Sequence, residues 1–295
     1  MKNPLLVQIK TEDGLTLPGL LFEAPKSERA MIFLHGNGST SVFYHEDQRV
    51  ELADELNKKG VSFLIFNNRG AEYIKKLDVE GQEKSKRFGM AYEIIKECIE
   101  DIDAAVKLLE KKGYKEFYLI GESTGANKIC VYHYYKPKNK IAKYILVSGG
   151  DDTGIYYDQL GKEKFYRLLK EAKEKIKKRK GEELITELLP NETFSYNAFY
   201  DTCNPDGDYN IFPYLEVIKG IKLSKKPLFR HVKSIDKPTL VIYGEKDEYA
   251  LGGGGKSVEI LKQQKPEFTY KAIKGGDHAF SKHQKEYAKV VADWI

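Results

Sequence analysis

The chain has 295 residues, a formal net charge of +5 and 32% charged residues of both signs. This length allows one large α/β domain, or a core domain with an insertion, and it can bury a substantial apolar core. The small positive excess does not indicate a nucleic-acid partner, because acidic residues are nearly as abundant as basic ones. Cys98, Cys130 and Cys203 are odd in number and far apart, which argues against a disulfide framework or a zinc site and favours a reducing, cytoplasmic location. The N-terminal sequence is typical of neither a signal peptide nor a membrane span, so we expect a soluble protein.

Eight apolar runs rich in β-branched and aromatic residues predict strands, and five segments with helical spacing of apolar residues predict helices. The predicted strands are 5–10, 17–23, 30–35, 61–66, 116–121, 142–147, 238–243 and 268–273. The predicted helices are 46–59, 92–112, 124–136, 251–264 and 281–295. Strands that alternate with helices predict a mostly parallel sheet covered on both faces.

The alternation breaks between Gly149 and Val232, and this segment predicts an insertion above the sheet, because structureless loops of such length are rare in compact domains. The predicted division is a core of 1–148 and 233–295 and a cap of 149–232. Helical patterns occur near 158–180 and 182–189. The first has an apolar stripe, which favours one packed and one solvated face, with contact to a membrane or nucleic acid as the alternative. The stripe comprises Phe165, Leu168, Leu169, Ala172 and Ile176.

Aromatic residues are concentrated in the second half of this insertion. They either form the floor of an apolar substrate pocket or only attach the cap to the core. The residues are Tyr196, Phe199, Tyr200, Tyr209 and Phe212.

The stretch "LIGESTGANK" places Ser123 between two glycines, after a predicted strand and before a predicted helix. In that setting a serine sits in a tight, strained turn with its hydroxyl exposed, as a nucleophile requires. Side chains at Gly121 and Gly125 would collide with the neighbouring strand or helix. The alternative is that Ser123 only caps the helix that follows.

A nucleophilic serine needs a base and an acid that orients the base. Asp247 follows the strand 238–243 and His278 follows the strand 268–273, which gives the chain order Ser, Asp, His. Rival acids are Glu245, Asp151 and Asp152. Solvated or packed positions are expected for the other histidines: His45, His133, His231 and His283.

The tetrahedral oxygen of an acyl-transfer reaction also needs hydrogen-bond donors. A tight glycine turn follows a strand in "MIFLHGNGST", so the backbone amides of Asn37 and Thr124 are the candidate oxyanion donors. We expect His35 to brace this loop and not to act as a base.

A competing motif lies in "EKDEYALGGGGKSVEI", which nearly matches a phosphate-binding loop through Gly255, Lys256 and Ser257. The pattern requires glycine at position 250, where this chain has Ala250. Neighbouring carboxylates are unfavourable beside a phosphate. We therefore expect a flexible glycine loop that leads into a helix.

Four motifs follow one another in the chain: "LHGNG", "GESTG", "GEKDE" and "GGDHAF". With them the sequence resembles the serine α/β-hydrolase superfamily over nearly the whole chain outside 149–232. The stretches "GESTGANKICVYHYY" and "LVSGGDDTGIYY" are most similar to a family that includes fungal siderophore (fusarinine) esterases, with bacterial feruloyl and acyl esterases as broader relatives.

The resemblance implies an α/β-hydrolase fold. This fold has an eight-stranded, mostly parallel sheet with one antiparallel strand, helices on both faces and a helical cap inserted after strand six. It also implies that Ser123, Asp247 and His278 are nucleophile, acid and base. The residue before the nucleophile is often His in this superfamily and is Glu122 here. The sequence leaves open whether that carboxylate is paired or disturbs the oxyanion site.

We therefore expect a cytoplasmic serine hydrolase that cleaves medium-chain, aryl or siderophore-like carboxylic esters through an acyl-serine intermediate. Its expected partner is a small-molecule ester, with no cofactor, no metal, no nucleic acid and no membrane insertion; the sequence does not give the oligomeric state. A thioesterase, a lactonase or a peptidase would show the same triad. Two other classes stay open, a catalytically silent binding protein on the same fold and a nucleotide-binding protein.

Overall fold

The computed structural model of the chain describes residues 3–190 and 192–295, so the first two residues of the predicted core and Asn191 of the predicted cap lie outside it. Within it lies an eight-stranded sheet in the order β1-β2-β4-β3-β7-β8-β9-β10, and β5 and β6 form a separate hairpin. The strands are β1 (Leu5–Lys10), β2 (Thr16–Phe22), β3 (Arg29–Leu34), β4 (Val61–Phe66), β5 (Lys75–Leu77), β6 (Lys86–Phe88), β7 (Glu116–Glu122), β8 (Ile141–Val147), β9 (Thr239–Gly244) and β10 (Thr269–Ile273).

The eight predicted strands are confirmed, each within one residue of its predicted ends. β2 runs antiparallel to both of its neighbours, and every other neighbouring pair in the large sheet is parallel. The α/β-hydrolase fold is thereby confirmed. The carboxyl ends of the parallel strands meet at one edge, where this fold carries its ligand site.

Ten helices surround the sheet in the described residues. They are α1 (Glu46–Lys58), α2 (Cys98–Lys111), α3 (Thr124–Tyr135), α4 (Asp152–Leu160), α5 (Lys162–Lys177), α6 (Tyr196–Cys203), α7 (Tyr214–Lys219), α8 (Arg230–Ser234), α9 (Gly254–Gln264) and α10 (Gln284–Trp294). Helices α1 and α10 pack on one face of the sheet, and α2, α3 and α9 pack on the other.

Side-chain alternation along the central strands separates these two faces. In β3, Met31 and Phe33 join the core beneath α1 and α10, whereas Ile32 and Leu34 join the core beneath α2 and α3. Because both faces are covered, the strand is buried along nearly its whole length.

Apart from shifts of up to four residues at helix ends, two helix predictions differ from the structure. The predicted helix 92–112 begins only at Cys98, because short 3₁₀ turns occupy Met90–Tyr92 and Ile95–Glu97. The predicted helix 182–189 is wrong: Leu184 instead forms an isolated antiparallel bridge with Ser195. Its apolar residues follow helical spacing, but their backbone pairs with residues further along the chain, which sequence periodicity cannot detect.

The segment between β8 and β9 contains α4 to α8 and divides between two apolar cores. α4, α5 and α6 form a core of their own, in which α5 buries the predicted residues Phe165, Leu168, Leu169 and Ala172. In the second half of the segment, Phe212 belongs instead to the main core beneath the sheet. The division into a core and a cap of 149–232 therefore stays a prediction.

Along the described residues, no helix is long and apolar enough to cross a membrane. The three cysteines are buried free thiols. The cytoplasmic location stays a prediction.

Candidate active site

Ser123 occupies the sharp turn between β7 and α3. Its backbone lies at φ 55° and ψ −124°, a conformation that costs energy for a residue other than glycine. The Ser123 amide donates to the carbonyl of Val147 at 2.8 Å, which fixes the turn against the end of β8. The Ser123 hydroxyl makes no capping hydrogen bond to α3, so the alternative role as a helix cap is not observed.

The two glycines around Ser123 are required for close packing, as the sequence predicts. A Cβ atom at Gly121 would lie 2.3 Å from the backbone of Gly125, and a Cβ atom at Gly125 would lie 2.2 Å from the carbonyl oxygen of Leu34 in β3. Any side chain at either position would force the strand and the helix apart. The turn therefore holds the serine at the carboxyl edge of the sheet.

Asp247 and His278 form a hydrogen-bonded pair beside this turn. The loops after β9 and β10 bring them together, with 2.8 Å between Asp247 Oδ1 and His278 Nδ1. The Asp247 side chain is 1% exposed and also accepts a hydrogen bond from the backbone amide of Tyr249 at 3.0 Å. This pair leaves His278 Nε2 as the ring nitrogen that can exchange a proton with a substrate or a nucleophile.

Burial alone would lower the pKa of His278, but the hydrogen bond and charge of Asp247 outweigh it, with further contributions from Glu248 and Glu122. The pKa of His278 is therefore raised above 6.5. A raised pKa strengthens the imidazole as a base but requires a higher pH for its neutral form.

The rival acids do not contact His278 through their side chains. Asp151 caps α4 and accepts hydrogen bonds from the amides of Gly154 at 2.8 Å and Leu215 at 2.7 Å. Glu245 accepts from the amide of Gly275 near the surface. Asp152 accepts from Asn127 Nδ2 at 3.3 Å. Of the four candidate acids, Asp247 is the one bonded to the imidazole.

Ser123, Asp247 and His278 line one cavity of about 500 Å³. In the described part of the chain, Ser123 Oγ makes no hydrogen bond to His278, and such bonds are often long when no substrate is bound. The volume lies within the range of small-molecule sites. The structure thus brings the three predicted residues to a single concave site.

Glu122, which the sequence left open, is paired. Arg49 from α1 donates to both of its carboxylate oxygens at 2.9 Å, and the Tyr287 hydroxyl donates to Oε1 at 2.9 Å. Burial acts to raise the pKa of Glu122, but Arg49 and Tyr287 outweigh it, so the pKa lies below its ordinary value. Glu122 is therefore an anion whose two oxygens are engaged by Arg49 and Tyr287. The sequence carried no sign of Arg49 or Tyr287, because both reach the site from other parts of the fold.

The loop after β3 lies directly against the nucleophile. A Cβ atom at Gly36 would lie 3.0 Å from the Ser123 Cβ, so a side chain at this position would crowd the nucleophile. Asn37 lines the cavity. In residues 3–190 and 192–295, the backbone amides of Asn37 and Thr124 donate to no protein acceptor. Asn37 lies at the cavity wall, whereas Thr124, which follows Ser123 in the chain, is 1% exposed. The role of both amides as oxyanion donors stays a prediction.

His35 braces this loop. Its Nε2 accepts a hydrogen bond from the Asn68 amide at 3.2 Å, so its Nδ1 carries the proton and donates to the Gly36 carbonyl at 2.9 Å. Burial and the nearby charge of Lys128 lower the pKa of His35 well below 6.5, which keeps this tautomer neutral. The peptide between Gly36 and Asn37 is trans, so its carbonyl and its N–H point in opposite directions. Because His35 holds the Gly36 carbonyl, the Asn37 N–H points away from His35.

The other histidines do not form a second base at the site. His133 contacts Tyr144 and Ser234, and His231 contacts Asp208. His283 lies near Glu286 on α10. His45 lines the mouth of the cavity but is exposed, as expected for a solvated residue.

The aromatic residues predicted in the insertion do not line the cavity in the described residues. Phe199 lies in the core of the insertion and Phe212 in the main core, so these rings serve packing. Other aromatic residues take their place, and the sequence analysis missed them because they come from separate loops and from α4 and α7. They are Tyr44, Tyr73, Tyr156, Tyr214 and Tyr249.

The competing phosphate-loop motif lies within the start of α9. Lys256 pairs with Glu259 at 2.9 Å on the surface, and Ser257 is completely buried. A phosphate cradle needs both side chains at the ligand. The loop from Tyr249 to Ala250 instead lines the hydrolase cavity.

No curated protein matches the sequence. Among solved structures, the chain is similar to Est1E from Butyrivibrio proteoclasticus bound to ferulic acid, with 18% identity, a TM-score of 0.64 and coverage of 98% of this chain and 97% of that one. It is similar to the Pyrococcus furiosus esterase PF2001, with 20% identity, a TM-score of 0.58 and coverage of 99% and 89%. It is also similar to the Paleococcus ferrophilus monoacylglycerol lipase, with 18% identity, a TM-score of 0.58 and coverage of 94% and 97%.

At these identities the solved structures show the shared fold. The family model described as "Serine aminopeptidase, S33" matches residues 25–283, which is most of the chain and contains Ser123, Asp247 and His278. The chain therefore belongs to this family of α/β hydrolases.

Proposed function

We propose that the protein hydrolyses carboxylic esters with Ser123 as nucleophile, His278 as base and Asp247 as the acid that orients the base. The observation that carries this proposal is the hydrogen-bonded pair of Asp247 and His278 in the same cavity as the strained turn at Ser123. An imidazole oriented in this way accepts the serine proton during attack on the ester carbonyl and returns it to the departing alcohol. In the second half-reaction, His278 takes a proton from water, which attacks the acyl-serine carbonyl, and returns that proton to the Ser123 oxygen as the acid leaves.

The negative charge that develops on the carbonyl oxygen is stabilised by the backbone amides of Asn37 and Thr124. Thr124 begins α3, so its amide lies at the positive end of the helix dipole. His35 orients the other donor, the Asn37 amide, because it holds the carbonyl of the same peptide, that of Gly36, on the opposite side. One such donor is worth roughly 10²–10³ in turnover.

Esters are favoured over peptides by the kinds of proteins that share the fold, an esterase with ferulic acid bound, an archaeal esterase and a monoacylglycerol lipase. Medium-chain, aryl and siderophore-like esters stay the predicted substrates. Ile155, Tyr156 and Met90 supply apolar surface in the cavity for such acyl groups.

Covalent labelling tests the proposal most directly. Wild-type protein is treated with a fluorophosphonate probe and assayed with p-nitrophenyl butyrate. We expect labelling and hydrolysis in the wild type, and loss of both in Ser123→Ala. Ser39→Ala is the matched control for labelling, because Ser39 lines the same cavity and its hydroxyl has no role in the proposed chemistry.

Labelling that persists in Ser123→Ala would show a different nucleophile. A folded wild-type protein that takes up no probe and cleaves no ester would favour a catalytically silent binding protein.

A further inference from the structure

The cavity that holds Ser123 is strongly acidic, although the whole chain has a net charge of +5. Six carboxylates line it, whereas Arg49 is its one lysine or arginine side chain in the described residues. The carboxylates are Glu122, Asp151, Asp152, Asp247, Glu192 and Glu248. This imbalance repels anionic substrates and attracts cationic ones.

Four of these carboxylates have partners that account for them. Glu122 pairs with Arg49 and Asp247 with His278, and the side chain of Asp151 accepts two backbone amides. Glu248 accepts from the backbone amide of His278 at 3.0 Å.

Asp152 and Glu192 have only neutral partners in the described residues. Asp152 accepts a hydrogen bond from the side-chain amide of Asn127 (Nδ2) at 3.3 Å, and Glu192 accepts one from the Tyr156 hydroxyl at 2.9 Å. Asn127 lies one helical turn after Ser123 on α3, and Asp152 lines the same cavity as Ser123. Partly buried carboxylates without a cationic partner are costly to keep ionised, and a bound cation offsets that cost.

Two further features of the same cavity point to a ligand, and the second of them suits a cation. The Ser148 hydroxyl is buried and has no hydrogen-bond partner among residues 3–190 and 192–295, and Ser148 lines the cavity with a residue exposure of 2%. Five tyrosines also line it, among them Tyr156 next to Glu192 and Tyr249 packed edge-on against His278 at 4.8 Å between ring centroids. Tyrosine rings beside carboxylates form the environment in which proteins bind organic ammonium groups.

We infer that Asp152 and Glu192 form a subsite for an organic cation, so that the preferred ester carries an ammonium group close to its scissile bond. This inference rests on the proposed function and specifies its substrate class. The carboxylates attract the charge, the tyrosine rings contact its alkyl substituents, and the Ser148 hydroxyl supplies a polar contact. An anionic ester is excluded by the same charges.

The protonation of the subsite agrees with this assignment. Burial raises the pKa of Asp152 to about 6, with Glu192 and Glu93 adding to the increase and His278 opposing it. Burial also raises the pKa of Glu192. A bound cation favours both ionised forms, so cation affinity falls as the pH drops through about 6, where Asp152 becomes protonated.

Matched substrates test the inference. The acyl pair is the p-nitrophenyl esters of 4-(trimethylammonio)butyrate and 5,5-dimethylhexanoate, which have the same shape and differ by one charge. The alcohol pair is acetylcholine and 3,3-dimethylbutyl acetate. In the acyl pair or in the alcohol pair, we expect kcat/KM to be at least about tenfold higher for the cationic ester than for its neutral counterpart. The p-nitrophenyl monoester of glutarate should be the poorest substrate.

The double variant Asp152→Asn/Glu192→Gln should reduce that preference to about threefold or less, because kcat/KM falls more for the cationic ester than for the neutral one. Asp158→Asn is the matched control, because Asp158 lies on α4 with an exposed side chain that pairs with Lys219. It should keep the preference. Equal kcat/KM for both members of each pair in the wild type would overturn the inference, as would an unchanged preference in the double variant.

A binding measurement separates this inference from the proposed catalysis. Isothermal titration of Ser123→Ala protein with acetylcholine should show binding at pH 7.5 that weakens at pH 5, and 3,3-dimethylbutyl acetate should bind more weakly. If the wild type hydrolyses no ester but the protein still binds the cation, only the catalytic proposal is refuted. Hydrolysis of neutral esters without cation binding would refute only the subsite.

Discussion

Arg49 donates to both carboxylate oxygens of Glu122, the residue before Ser123, at 2.9 Å. The Arg49 guanidinium also lies 3.9 Å over the ring of Phe33, and its side chain is 4% exposed. A helix on the face of the sheet thereby holds the residue that leads into the turn. The Tyr287 hydroxyl adds a third hydrogen bond from α10.

Removing one partner of this pair should cost more stability than removing both. Arg49→Met leaves Glu122 without its counter-charge, and we expect a loss of roughly 3 kcal/mol in the free energy of unfolding. The double variant Arg49→Met/Glu122→Gln should recover at least half of it. Urea unfolding measures both. Lys59→Met is the control, because Lys59 pairs with Asp293 on the surface and its loss should cost at most about 1 kcal/mol. Equal losses in the single and double variants would contradict the prediction.

The pH dependence of hydrolysis should report the raised pKa of His278. The base must be neutral, so kcat/KM should rise with pH through a midpoint above 6.5. Asp247→Asn removes the group that contributes most to raising this pKa, so the midpoint should move down and turnover should fall by roughly 10⁴. The pH–rate profile of each protein gives both numbers.

Glu245→Gln is the matched control for that variant, because Glu245 follows the same strand but binds the amide of Gly275. It should retain the wild-type midpoint and turnover. A midpoint that does not move in Asp247→Asn would show that another acid orients the base.

A buried network behind the oxyanion loop should control its geometry. Lys128 on α3 contacts Glu93 Oε1 at 2.5 Å and Asn68 Oδ1 at 3.3 Å, and the Asn68 amide in turn fixes the ring of His35. The double variant Lys128→Met/Glu93→Gln removes both charges together. We expect kcat to fall about tenfold with little change in KM, because a loosened Asn37 amide weakens only transition-state binding.

Lys136→Met is the control for this network, since Lys136 lies at the end of α3 with an exposed side chain paired to Asp103. It should leave kcat unchanged. If KM rose about tenfold in Lys128→Met/Glu93→Gln while kcat stayed constant, the network would shape substrate binding and not the oxyanion site.

Nucleotide addition should not stabilise the protein. Lys256 is paired on the surface and Ser257 is buried, so the motif around them offers no phosphate site. A ligand that binds only the folded state raises the melting temperature. We expect no shift with millimolar ATP and magnesium. A shift that disappears in Lys256→Ala would restore the nucleotide-binding hypothesis.

The sequence predicted those features that depend on local pattern. Strand periodicity, the glycines around Ser123 and the positions of Asp247 and His278 just after strands all follow from short stretches of chain. The partners of Glu122 could not be predicted, because Arg49 and Tyr287 come from distant helices and meet only in the folded chain. The same holds for the acidic cavity, whose carboxylates come from four separate segments.

The second half of the insertion should be essential for the core and not removable as a cap. Phe212 is 1% exposed in the main core, and its ring stacks on Tyr214 at 5.9 Å between centroids. A Cβ atom at Gly149 would lie 2.4 Å from that ring, so Phe212 also packs directly on the end of β8. Phe212→Ala should therefore lower the free energy of unfolding by about 3–5 kcal/mol, the usual cost of removing a buried phenylalanine.

Tyr166→Ala is the control for this last prediction, because Tyr166 lies on α5 in the first half of the insertion and is 41% exposed. Its substitution should change the free energy of unfolding by less than about 1 kcal/mol. Urea unfolding monitored by circular dichroism compares the two variants. If Phe212→Ala were as mild as Tyr166→Ala, the segment around Phe212 would be only loosely attached, and replacement of residues 155–230 by a short linker would then leave a folded core.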